Sequence, residues 1–157
     1  MRRGFTLRAA RPRDAAAMAR ILAHWIDETP WFMSRAPYSA SRAAMAEHLC
    51  RARVVVAQRR GLWRRVLGFA VRDGNVLAAL YVARDARQQG IGRALLAELA
   101  GGGDDLHLTL FAANTPARSF YRAMGCIERG QTVGANEEGL PDLRLVLRAQ
   151  QERTAHG

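Results

Sequence analysis

The chain has no lysine: all 24 of its basic residues are arginine, which against 14 acidic residues leaves a formal charge of +10. That absence removes a Schiff-base mechanism, a phosphate-loop lysine and autoacetylation of a lysine side chain. Cysteine is scarce. Cys50 and Cys126 stand in no metal-ligand spacing with His24, His48, His107 or His156, so no metal is expected and both thiols read as reduced and packed. No apolar run approaches the roughly 18 residues of a membrane helix, and MRRGFTLRAARPRD has a charged start without the apolar stretch of a signal peptide. The expectation is a cytoplasmic protein with no membrane partner.

What is present suits one globular domain. With 157 residues, 49% apolar and 24% charged, the chain can bury one real core. We read residues 1–150 as a single domain and 151–157 as a frayed tail. The arginine excess is open to three readings: a nucleic-acid surface, an attraction for small polyanions, or a compositional bias of the source. The arginines are scattered and lack interleaved aromatics, which favours bias and argues against a nucleic-acid partner.

The pattern along the chain alternates between classes. FTLRAAR (5–11) reads as a strand and Asp14 as the cap of a helix whose buried face is Met18, Ile21, Leu22, Trp25 and Ile26, ending near Pro30. A second helix starts at Ser41 and carries Met45 and Leu49. Residues 53–58, 64–71 and 75–83 read as three antiparallel strands, with Asp-Gly of RDGN turning the last pair. A helix marked by Ile91, Leu95 and Leu99 runs into GGG at 101–103. DLHLTLFAA (105–113) is a strand, NTPARSFYRAMG a helix capped by Thr115 and closed by Gly125, and CIERG and DLRLVLRA close the chain as strands.

The turn before the third helix, ARDARQQGIGRALLAEL (83–99), is bare of side chains where a strand meets a helix. Gly90 and Gly92 leave the unpaired amides of the first helical turn open, with Arg87 and Arg93 beside them, so an anion can approach closely. A dinucleotide fingerprint needs a third glycine where Leu95 stands. A Walker loop needs a lysine. A tight helix-opening turn with no ligand also accounts for the glycines.

Arg87, Gln88, Gln89, Gly90, Ile91 and Gly92 follow in order the Arg/Gln, two residues, Gly, one residue, Gly/Ala pattern of acyl-CoA binding, and the stretch resembles that motif of the GNAT family of N-acetyltransferases. Arg84 stands where the family usually has proline. A second stretch, FAANTPARSFYRAMGCIE, resembles the family's fourth helix through Asn114, Ala117, Tyr121 and Gly125. The two cover roughly residues 62–128.

The resemblance implies an α/β (α+β) fold: a mixed, mostly antiparallel sheet of about seven strands splayed in a V, flanked by about four helices. Acetyl-CoA is the implied co-substrate. Backbone groups of Leu80, Tyr81 and Val82 would pair with its pantetheine arm, the amides from Gln88 through Gly90, Ile91 and Gly92 to Arg93 would hold the pyrophosphate, and Asn114 would contact the arm or bound water. Tyr121 is the implied general acid, against the plainer reading of a core tyrosine. Relatives that acetylate ribosomal N-termini carry a glutamate five residues before the Asn; here that residue is Thr109, which leaves His107, on the same strand face, to act through water. Trp31, Glu28, Glu138 and Asp142 are candidate substrate contacts. The implied activity is acetyl transfer to a primary amine of a small molecule, less readily of a peptide. A noncatalytic acyl-CoA-sensing or interaction module, and acetylation of charged tRNA, are the alternatives, and a homodimer is left open.

Overall fold

The computed structural model describes residues 4–32, 38–134, 136 and 139–149. The tail at 151–157 and Glu138 lie outside them. Seven strands and four α-helices are described: β1 (Phe5–Ala9), α1 (Ala15–Asp27), α2 (Tyr38–Arg51), β2 (Arg53–Arg59), β3 (Val66–Asp73), β4 (Val76–Val82), α3 (Ile91–Ala100), β5 (Leu106–Phe111), α4 (Thr115–Ala123), β6 (Ile127–Thr132) and β7 (Asp142–Leu147). The order agrees with the sequence reading, with two short 3-10 turns added at Pro12–Asp14 and Arg84–Ala86. Among the described residues no helix is long and apolar enough to cross a membrane.

The chain divides between Leu99 and Ala100 into two compact units. In the first, β1 pairs with β2, β2 with β3 and β3 with β4, each antiparallel. The central strands are buried almost end to end, Val54–Ala57 and Val66–Val71, because both sheet faces are covered. Gly68 and Phe69 show the two faces. A Cβ on Gly68 would stand 3.2 Å from Ile91 and 3.4 Å from Leu95 of α3. Phe69, its neighbour on the opposite face, meets Tyr81 at 5.8 Å, and Tyr81 in turn meets Trp25 of α1 at 5.4 Å. So α1 and α3 pack on opposite sides. Helix α3 is tied at its end by Arg72, which donates to the Leu99 carbonyl, an acceptor with no partner within the helix.

The second unit is a three-stranded antiparallel sheet in the order β5, β7, β6, together with α4. Strand β5 alternates strictly, with Leu106, Leu108 and Leu110 buried and His107 and Thr109 exposed.

Three expected caps are corrected. Asp14 sits at the start of α1 but accepts no amide of that helix. Its carboxylate takes the Arg11 N–H at 2.7 Å and both terminal nitrogens of Arg8 at 2.7 and 2.9 Å, because a buried charge needs its countercharge more than the helix needs a cap. Ser41 lies inside α2 and is buried, the helix having started at Tyr38. Asn114, not Thr115, caps α4 by accepting from Ala117 N at 3.3 Å. One thiol also departs from expectation: Cys126 is buried, but Cys50 is exposed.

Candidate active site

Strand β4 ends in Leu80, Tyr81 and Val82, held in register with Ala70, Phe69 and Gly68 of β3. One 3-10 turn follows, and Arg87 returns to extended backbone. Gln88 then has φ +63° and Gly90 φ +81°. Two left-handed residues within three positions wrap the chain tightly into α3, and residues 87–90 are all exposed. Gln88 is the only non-glycine residue with positive φ among the described residues, the kind of costly backbone that collects at ligand sites. The first bond into α3 runs from Ala94 N to Gly90 O at 3.0 Å, so the Ile91, Gly92 and Arg93 amides precede it at the positive end of the helix. Strand end, nest of amides and helix dipole together suit a phosphate group.

The turn is braced on both flanks. The Arg87 guanidinium donates to Glu28 at the end of α1 and, through Nε, to Val82 O at 3.3 Å; Arg84 adds a 3.7 Å contact to the same carboxylate. Arg65 grips Asp85 with bonds of 2.6 and 2.5 Å, which holds that carboxyl down at about 2. Arg87, expected beside an anion, pairs with Glu28, expected at the substrate, and Glu28 also meets Arg84. The opposite charges of Arg87 and Glu28, 59 residues apart, find each other across the fold.

Trp31 joins an aromatic cluster. Its ring lies 6.0 Å from Trp25 and 6.2 Å from Phe32, and Trp25 lies 5.3 Å from Phe32 and 5.4 Å from Tyr81. All of these contacts are edge-on, the favoured geometry for aromatic pairs. Burial pushes the Tyr81 phenol above its ordinary pKa, so it stays neutral. The first unit thus gathers Glu28, Trp31, the end of β4 and residues 87–93 around one strand terminus.

The second unit holds the other candidates. Tyr121 is buried on α4, its ring 5.0 Å from Phe120 and its carbonyl accepting Cys126 N at 2.9 Å. Asn114 spends its side-chain oxygen on the helix cap. His107 pairs in register with Val146 on β7 and is exposed, and Thr109 pairs with Arg144. Asp142 is committed locally: it accepts from Thr132 and, at 3.1 Å, from Asn136, which hold its pKa below the usual carboxylate range. Asn136 also bonds both the N–H and the carbonyl of Leu140, so the expected substrate carboxylate anchors its own loop.

Sequence reasoning missed the Arg65–Asp85 and Arg84–Glu28 pairs, the Tyr81 ring and Gly68. The pairs link distant positions and leave no local pattern. Gly68 was visible as an isolated glycine inside a strand, a mark of close approach.

Fold and site together define a protein with an exposed strand-turn-helix, suited to an anion, at the end of β4. Residues 50–125 match the family model described as acetyltransferase (GNAT) domain. Over that stretch, just under half of the chain, the protein is similar to this family of acetyltransferases. Over 62 residues it is 39% identical to the peptidyl-lysine N-acetyltransferase YiaC of Escherichia coli, a match that takes in 39% of this chain and only 42% of that one. Among solved structures, a ribosomal-protein-alanine N-acetyltransferase from Brucella melitensis is 26% identical with a TM-score of 0.72, covering 91% of this chain and 99% of the other. The yncA structure from Salmonella typhimurium, with its cofactor acetyl-CoA, is 21% identical with a TM-score of 0.71, covering 94% and 95%.

Proposed function

We propose that this chain is an acetyl-CoA-dependent N-acetyltransferase acting on a primary amine of a small molecule, its two units working as one domain over residues 1–150. The observation that carries this reading is the left-handed turn at Gln88 and Gly90, which opens the first amides of α3 beside the end of β4. Bound acetyl-CoA supplies an activated acetyl thioester. In the first unit, backbone groups of Leu80, Tyr81 and Val82 bind the pantetheine arm and orient its carbonyl by a hydrogen bond. The amides from Gln88 to Arg93 hold the pyrophosphate, with Arg93 adding charge, while Arg87, tied to Glu28, fixes the shape of the turn. In the second unit, Tyr121 donates a proton to the departing thiolate, Asn114 keeps the start of α4 in place, and His107 receives a proton from the amine through water.

The aromatic faces of Trp25, Trp31 and Phe32 support a cationic or amine-bearing acceptor, since ring faces attract cations. A peptide lysine is the second reading, favoured by the identity to YiaC.

Thermal unfolding with acetyl-CoA, NADH and ATP in separate samples is the first test. At about a hundred times its dissociation constant acetyl-CoA raises stability by about 2.7 kcal/mol, several degrees for a chain of this size. Release of free thiol with panels of small amines and of lysine peptides then separates the two acceptors. Tyr121→Phe is expected to keep the acetyl-CoA shift and lose about a hundredfold or more in turnover. No shift with any acyl-CoA sinks the reading; a shift with no turnover on any amine makes the chain a sensor.

A further inference from the structure

The hairpin joining β2 to β3 ends in RRGLWRR, residues 59–65. At its tip Leu62 is 96% exposed and Trp63 83% exposed, on either side of which stand four arginines, with Gly61 at φ +105° making the turn. A large aromatic set out in water at the end of a hairpin has no packing role in the fold. Beside it the first unit has a partly open cleft of about 560 Å³, lined by Arg8, Arg11, Arg13, Asp14, Gln58, Arg64 and Val66. Four arginines face one carboxylate there. Asp14 is spent on Arg8 and on the Arg11 amide, while Gln58 holds Arg8 from the other side at 2.6 Å. The Arg11, Arg13 and Arg64 guanidiniums are exposed and make no ion pair with an acidic group among the described residues.

We propose that this cleft and hairpin tip bind single-stranded nucleic acid, with backbone phosphates in the cleft between Arg11, Arg13 and Arg64 and a base stacked on Trp63. Charge selects a polyanion, and the tryptophan selects one that carries flat rings. Concavity decides between the remaining polyanions, because a flexible strand enters a cleft that the plane of a bilayer does not. Sequence reading set nucleic acid aside for want of aromatics among the arginines. The hairpin tip presents an exposed aromatic together with arginines. The site is independent of the acetyltransferase reading.

The test is fluorescence anisotropy with a labelled, mixed-sequence strand of about 12 nucleotides, as RNA and as DNA, within the usual site size. Three phosphate contacts on a single strand give a salt slope near −2, so affinity falls about twentyfold between 50 and 200 mM salt. Trp63→Ala is expected to weaken binding roughly tenfold. The triple variant Arg11→Gln, Arg13→Gln, Arg64→Gln should remove most binding and flatten the slope. A control triple of the same charge, Arg20→Gln, Arg42→Gln, Arg129→Gln, should leave it nearly intact, and all variants should keep the wild-type unfolding temperature. Equal loss in the two triples overturns the proposal, since global charge then explains binding. So does a neutral Trp63→Ala. Binding to phosphatidylglycerol vesicles but to neither oligonucleotide also overturns it and makes the tip a membrane wedge.

Discussion

Gly90→Ala isolates what the bare turn is for. A Cβ built on Gly90 meets nothing within 4 Å, so the substitution adds no clash. The cost is therefore all backbone: at φ +81° a residue with a Cβ is disfavoured by about 1 kcal/mol, which lowers the unfolding temperature by about 2–4 °C at this chain length. The chain can escape that cost by relaxing Gly90 toward negative φ, and relaxation re-aims the amides of α3. Binding should then suffer more than folding. If the acetyl-CoA dissociation constant rises tenfold, a ligand concentration that stabilises the native protein by about 2.7 kcal/mol stabilises the variant by only about 1.4 kcal/mol. Asparagine tolerates the left-handed region, so Gly90→Asn should recover most of both losses. Paired unfolding curves with and without acetyl-CoA read all of these values. An alanine variant with native stability and a native acetyl-CoA shift refutes the argument, and an asparagine variant no better than alanine removes its backbone basis.

Gly68 makes the complementary case, because its φ is ordinary and its added Cβ would lie 3.0 Å from the Tyr81 carbonyl and 3.2 Å from Ile91. Gly68→Ala should cost about 1–3 kcal/mol by overpacking and lower the unfolding temperature by several degrees, with asparagine worse than alanine, the reverse of the order at Gly90. Asp14→Asn leaves the Arg8 guanidinium, 22% exposed, without its countercharge, so a loss of about 3 kcal/mol by urea unfolding is expected. The Asp85–Arg65 pair is acid-sensitive. The folded pKa of Asp85, about 2, lies below the usual 3.8, so its stabilisation is complete above that value and disappears as pH falls through about 4 to 2. Both partners are well exposed, which limits the effect to less than about 1 kcal/mol, and Asp85→Asn should flatten that part of the unfolding-temperature profile.

Where a residue's role is fixed by its own backbone, the sequence carried it. Gly125 has positive φ, as helix-closing glycines do, and Gly74 turns the β3–β4 hairpin at Asp-Gly as the dipeptide implies. The apolar runs of β2 and β3 gave buried strands, and the His107 and Thr109 alternation on β5 came out as read. Boundaries moved where a side chain had a stronger claim elsewhere. Asp14 abandoned the cap for Arg8, and Thr115 yielded to Asn114, whose carbonyl reaches the Ala117 amide from one residue further back.

Roles fixed by partners were not legible, and charge shows why. A carboxylate at the end of a helix, such as Glu28, looks available to a substrate when only its neighbours in the chain are known. In the fold it meets Arg87 and Arg84, which arrive through β4 and its following turn, so its carboxylate also braces the turn before α3. The same composition explains the excess. With 24 arginines for 14 acidic residues, every structural carboxylate can be answered and many guanidiniums still remain. Glu28, Asp85, Asp14 and Glu128 each draw one or two arginines into defined geometry. Function in the remainder is then a question of where unanswered arginines share a concave surface, and the cleft of Arg11, Arg13 and Arg64 beneath the Trp63 hairpin is such a place.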